Sequence, residues 1–138
     1  MRIREWVNER LGADRLIWLS GVGDDLLAPY VAAGAQGFTS SMACFWPEIA
    51  AELWVAATSD LARLAALHER TIRPFYEMRA RKRGYEVSVM KAAMEALGYP
   101  AGPPRPPIPA VSAAERTEIA ALVRTLNIPT MSSRGALA

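Results

Sequence analysis

The sequence contains one cysteine, Cys44, and one histidine, His68, in 138 residues. A single thiol excludes an internal disulfide and any multi-cysteine metal site, and a lone histidine without a second histidine or cysteine makes a poor metal ligand set. No metal and no cofactor are expected, and Cys44 is expected to be a buried, inert thiol in a reducing, cytoplasmic setting. Lysine is scarce too: Lys82 and Lys91 are the only two, against many arginines. Basic and acidic residues number 16 and 14, a net charge of +2. That balance gives no reason to expect a nucleic-acid partner. No apolar run approaches the roughly 18 residues that a membrane span needs, so no membrane partner is expected. The opening MRIREWVNERLG lacks the apolar core and cleavage site of a signal peptide. No internal repeat is present.

What the sequence does have is 51% hydrophobic residues, enough for one compact domain with a real core. Ile3, Trp6, Val7 and Leu11 recur at helical spacing, and Gly12 follows as a stop. The apolar run Leu16 to Leu19, closed by Ser20, Gly21 and Gly23, suits a short buried strand. Asp24 and Asp25 stand where acids favour a helix N-terminus, ahead of Leu26, Leu27, Tyr30 and Val31, with Gly34 past the end. A second strand is expected around Gly37 to Met42 and, as a short strand-helix-strand unit, parallel to the first.

After Pro47 the pattern is helical almost to the end. Ile49, Leu53, Trp54 and Ala57 mark one stripe, and Leu61, Leu64, Leu67 and Ile72 another that runs up to Pro74 with Ser59 as its N-cap. Phe75, Met78 and the basic stretch Arg79 to Arg83 follow, ending at Gly84. Val87, Met90, Met94 and Leu97 mark a further helix closed by Gly98. Pro100 to Pro109 must be an extended strap, because proline lacks the N–H that helices and sheets use. Ser112 and Glu115 have the spacing of a capping box for a last helix through Ile119, Leu122, Val123 and Leu126.

Two blocks carry a resemblance. GAQGFTSSMACFWP, Gly34 to Pro47, resembles the strand-eight signature of the dihydrodipicolinate synthase/N-acetylneuraminate lyase family: Gly-Ala-x-Gly, a serine-containing strand and a proline opening the next helix. VSVMKAAMEALGYPAGPPRPPIPAV, Val87 to Val111, is similar to the family's Val-x-x-x-Lys helix and Gly-Pro-x-Arg-Pro-Pro strap. The stretch RGYEVSVMKA, Arg83 to Ala92, looks most like the branch that dehydrates and decarboxylates 5-dehydro-4-deoxyglucarate. The chain departs from the family pattern at Cys44, where asparagine is common, and at the Ser20-Gly21-Val22-Gly23 turn.

The resemblance implies an α/β fold: the last two strands of a (β/α)8 TIM barrel followed by a C-terminal helical extension, predominantly helical. The expected divisions are 1–46 for the terminal βα units, 47–128 for the helical region and 129–138 for a flexible tail. A whole barrel needs roughly 250 residues, so the barrel here is partial. The family's reaction, as the resemblance implies, runs through a Schiff base between a strand-six lysine and the keto group of pyruvate or a related 2-oxo acid. That lysine, a Gly-Thr-rich carboxylate loop and a proton-relay tyrosine all belong upstream of residue 1, so no catalytic residue is assigned here and the chain alone is expected to be inactive.

Because barrel active sites lie at the C-terminal mouth of the strands, the surviving substrate contacts would be Ser20 and Gly21 after the first strand and Thr39 and Ser40 in the second. Small residues also simply end strands, and both readings stay open. The expected partner is a small 2-oxo acid, if the missing half completes the site, together with self-association into a homo-oligomer.

Other features have plainer readings. Lys91 could form an imine, but its place on an amphipathic helix marks it as a surface or structural lysine. His68, beside Glu69 and Arg70, reads as a solvated helix residue. The run Arg79 to Tyr85 complements a helix C-terminus rather than a phosphate backbone, and PPRPPIP, Pro103 to Pro109, reads as the strap rather than a groove ligand. Two further functions compete with the lyase reading: a non-catalytic module oligomerising through its open strand edges, and a truncated product that folds poorly.

Overall fold

The alternation of short apolar runs with glycine-rich turns in the first third, and of helical stripes thereafter, is what the computed structural model of the protein displays. It describes residues 2–21 and 23–135. Helix α1 (Arg2–Leu11) leads into strand β1 (Leu19–Ser20); a 3-10 turn (Asp24–Leu26) opens helix α2 (Leu27–Ala32), and strand β2 (Gly37–Phe38) follows. The two strands pair in parallel, Leu19 opposite Gly37 and Ser20 opposite Phe38. That is the strand-helix-strand unit expected.

The strands are shorter than expected and displaced. Leu16 and Ile17 lie outside the ladder and are exposed rather than buried, Ile17 at 75%. Regular pairing begins only after Trp18 and Gln36, which exchange bonds of their own: Gln36 N donates to Trp18 O at 2.7 Å and Trp18 N donates to Gln36 Oε1 at 3.1 Å. The second strand stops at Phe38, because Met42 to Cys44 coil into a 3-10 turn that sends Met42 and Phe45 into the core and Cys44 outward. Cys44 is therefore exposed, contrary to expectation.

Helix α3 (Pro47–Ser59) starts with proline in its first turn, where the missing N–H costs nothing. Its successor α4 (Leu61–Leu67) is capped by Asp60, whose carboxylate accepts Arg63 N at 2.9 Å. Ser59, the expected cap, is instead the last residue of α3 and donates its hydroxyl to Val55 O at 2.7 Å. Ser59 still belongs to α3, whereas Asp60 has the extended backbone a cap requires.

From α4 the chain continues through a π-helical turn (His68–Ile72) into α5 (Arg73–Ala80), so Pro74 does not end the helix as expected. A proline cannot bond to the carbonyl four residues back and its ring clashes there; the widened turn just before it is where the helix absorbs that defect. Helix α6 (Tyr85–Ala96), the proline strap without regular structure, and α7 (Ala113–Thr125) complete the extension. The capping box at Ser112 and Glu115 is formed in both directions. Within the stretch expected to be a tail, Met131–Gly135 form a short helix, α8, held by Arg134 on both carboxylate oxygens of Glu48.

The core lies among α3, the π turn, α5, α6 and α7. Leu53, Ile72, Phe75, Val89, Ala93 and Ile119 are at most 2% exposed. Phe45 and Phe75 meet at 5.5 Å between ring centroids, a tilted aromatic pair joining the turn after β2 to α5. By contrast, α1 and the approach to β1 present Ile3, Trp6, Leu11, Ile17 and Leu19 to solvent. Beside them a groove of 410 Å³ runs past Ile3, Trp18, Leu19, Pro29 and Tyr30. No helix among the described residues is long and apolar enough to cross a membrane.

Candidate active-site mouth

Parallel pairing makes β1 and β2 finish at the same end of the sheet, so the turns after Ser20 and after Phe38 adjoin there, at the place expected for a substrate mouth. Ser20 is buried, and its carbonyl accepts Thr39 N at 2.9 Å and the Thr39 hydroxyl at 3.4 Å. Gly21 is exposed, with open space where a Cβ would stand. Ser40 is half-buried, and its hydroxyl oxygen accepts Ala43 N at 3.1 Å. The four residues expected at the mouth are thus neighbours in two adjoining turns, with Thr39 Oγ1 and Ser40 Oγ both engaged by backbone. Val22, between Gly21 and Gly23, lies outside the described residues.

Two residues at this mouth escaped the sequence reading. Asp24, expected only to favour a helix start, is 1% exposed. Its Oδ2 accepts the Tyr76 hydroxyl at 2.9 Å and Ser41 N at 3.2 Å, while its own backbone N–H donates to Tyr76 Oη at 2.7 Å. The other oxygen, Oδ1, has no hydrogen-bond partner. Burial, and after it the charge of Asp24, pushes the Tyr76 phenol up to about 12, so the phenol is neutral and able to donate at any physiological pH. Arg79 lies over the Tyr76 ring, its Cζ 4.1 Å from the centroid.

Gly23 makes this approach feasible. With φ at +35°, it occupies backbone space that favours glycine, and an added Cβ would fall 2.8 Å from Tyr76 Oη and 2.4 Å from Asp25 Oδ1. The aspartate and the glycine are visible in the sequence as a turn signal. Tyr76 is 52 positions from its partner, and no local pattern links them.

Neither lysine joins the mouth residues. Lys91 Nζ donates to the carbonyls of Ala101 at 2.5 Å and Gly102 at 3.4 Å, pinning the strap to α6 as a structural lysine. Lys82 Nζ lies 6.0 Å from the centroid of the Tyr85 ring, at the start of the same helix. His68 is half-buried, with Nε2 shielded, rather than fully solvated as expected, and it lines a groove together with Asp24, Leu27 and Leu64. Among the described residues no three His, Cys, Asp or Glu side chains gather where they could hold a metal ion. In the basic run, Arg81 pairs with Glu118 at 2.6 Å, an internal use of that charge.

Residues 4–126 match the Dihydrodipicolinate synthetase family. Among curated proteins, the chain is 33% identical over 120 residues to a probable 5-dehydro-4-deoxyglucarate dehydratase of Ralstonia nicotianae, covering 85% of this chain and 38% of that protein. It is 36% identical over 123 residues to a protein of the same description from Acinetobacter baumannii, covering 87% of this chain and 40% of that one. Among solved structures, the dihydrodipicolinate synthase of Bacillus clausii superposes with a TM-score of 0.76 at 27% identity, over 91% of this chain and 43% of that one. The chain thus spans about two fifths of the length of these relatives. With its strand-end mouth, its helical extension and these matches, the chain belongs to the dihydrodipicolinate synthetase family.

Proposed function

We propose that this chain is the closing part of a Schiff-base lyase that acts on pyruvate or a related 2-oxo acid, in the dehydratase branch of its family. Its part in that enzyme is to supply one side of the substrate mouth through Ser20, Gly21, Thr39 and Ser40. The observation that carries the reading is the parallel pair β1 and β2, which brings Ser20 beside Thr39 where their strands end, within a segment a third identical to the dehydratases. Short hydroxyls and an open glycine let backbone groups and small donors approach a 2-oxo acid closely.

The nucleophile is not among this chain's lysines. Lys91 is committed to two carbonyls of the strap, and the contact given for Lys82 is with the Tyr85 ring at the start of α6. The chemistry that needs an imine must therefore use a lysine from another segment. The test is complementation. The 138-residue chain is combined with the N-terminal part of the Ralstonia nicotianae dehydratase, and the mixture is reduced with borohydride in the presence of pyruvate. An adduct on the added segment that requires this chain supports the reading; none in the mixture contradicts it.

A second reading, a non-catalytic self-associating module, draws on the exposed apolar residues of α1 and β1, including Ile3 at 74% and Leu19 at 59%. Sedimentation at increasing concentration decides it: a monomer throughout argues against the module.

A further inference from the structure

We propose that Asp24 and Tyr76 are positioning residues for the mouth, so that the helical extension, through the phenol on α5, determines where Thr39 and Ser40 stand relative to Ser20 and Gly21. The inference rests on the lyase reading for its functional meaning and on geometry for its physical content.

Three separate segments converge on one carboxylate oxygen. Asp24 Oδ2 receives the Tyr76 hydroxyl from α5 and the Ser41 amide from the turn after β2, while Asp24 itself belongs to the turn after β1. The phenol also accepts the Asp24 amide, so it acts as donor and acceptor at once and its direction is determined from both sides. Ser40 is then held between two anchored amides: Thr39 N on the Ser20 carbonyl and Ser41 N on Asp24. Since Asp24 is 1% exposed, solvent does not stand ready to replace the bonds that its carboxylate accepts. Neither residue is offered as catalytic, because the buried carboxylate and its phenol are committed to each other.

The π turn provides the phase that makes the contact. Leu67 and Ile72 are five residues apart and both buried, at 4% and 0%. In a regular α-helix that separation corresponds to a rotation of about 140° between side chains, too much for one face. The extra residue of the π turn restores a common face, sends Phe75 into the core against Phe45, and leaves Tyr76 directed at the turn after β1. Arg79, one turn further on, lies over the phenol ring and adds a cation–π contact to it.

The experiment is residue-resolved amide hydrogen exchange on the intact chain, comparing the wild type with Tyr76→Phe, Asp24→Asn and the double variant. Exchange at the Thr39 and Ser41 amides should rise at least tenfold in Tyr76→Phe while the Val89 and Ile119 amides stay within twofold. The double variant should be no faster at those sites than Asp24→Asn alone. Unchanged exchange at Thr39 and Ser41, or a rise in step with the core, would overturn the proposal. Should Tyr76→Phe fail to fold, Asp24→Asn, which keeps the side-chain shape, is read by the same criteria. In the complemented enzyme, Tyr76→Phe should raise KM for the 2-oxo acid about tenfold with kcat within threefold, and an unchanged KM would contradict the positioning role. Failure of wild-type complementation would count against the lyase reading and leave the exchange result standing.

Discussion

The hydroxyl of Tyr76 and the residue Asp24 are bonded twice, amide to phenol oxygen at 2.7 Å and phenol to carboxylate at 2.9 Å, across 52 positions of sequence. This pair of hydrogen bonds joins the helical extension to the strand ends, and the titration of the phenol reports on it. The folded phenol titrates at about 12, whereas the unfolded one returns to its ordinary value of 10.0. The neutral phenol is the form the fold favours, so its contribution to stability is complete below pH 10 and is lost as pH rises from 10 to 12. Asp24→Asn removes the nearby negative charge but not the burial, so the Tyr76 value should fall part of the way toward 10.0. Tyrosine ring-carbon NMR shifts through an alkaline titration measure this directly; a Tyr76 that titrates at its ordinary value of 10.0 in the folded chain contradicts it.

Gly23→Ala should cost about 1–3 kcal/mol, because the residue sits at positive φ and the new methyl meets the phenol oxygen. Urea unfolding followed by circular dichroism gives the value. A change within a few tenths of a kcal/mol would show that the turn after β1 relaxes freely.

Phe75→Ala should cost about 3–5 kcal/mol. The ring is fully buried, packs against Phe45, and sits where the turn after β2 meets α5. Loss of a single cooperative thermal transition would be the expected outcome, given that small domains have about 5–15 kcal/mol in total.

Ser112→Ala should cost about 1 kcal/mol, since the hydroxyl accepts Glu115 N and the Glu115 carboxylate in return accepts Ser112 N. The same denaturant titration measures it, and Glu115→Gln should cost less because an amide oxygen can still accept.

How much of this was legible in the sequence depends on the range of each interaction. The capping box at Ser112 and Glu115, the proline at the start of α3 and the glycine-closed helix ending before Gly98 are local signals and were readable as such. Ser20, Gly21, Thr39 and Ser40 are expected at a substrate mouth from strand ends and a family resemblance, and what the structure adds is that the two turns holding them adjoin. The burial of Asp24 was not readable, since an acid ahead of an apolar stripe looks like an N-terminal charge until Tyr76 arrives from a distant helix. The expected strand is longer than the observed one for a related reason: apolar Leu16 and Ile17 match a buried strand, yet they are 40% and 75% exposed. Cys44 reads as a core residue by type, and only the 3-10 turn around it turns the thiol outward.

On the proposed function, this chain would furnish part of a lyase mouth but not its nucleophile. The isolated chain incubated with pyruvate and borohydride, digested and analysed by mass spectrometry, tests it most directly. No reduced adduct is expected on Lys82 or Lys91; a stoichiometric adduct on either lysine would contradict the proposed function.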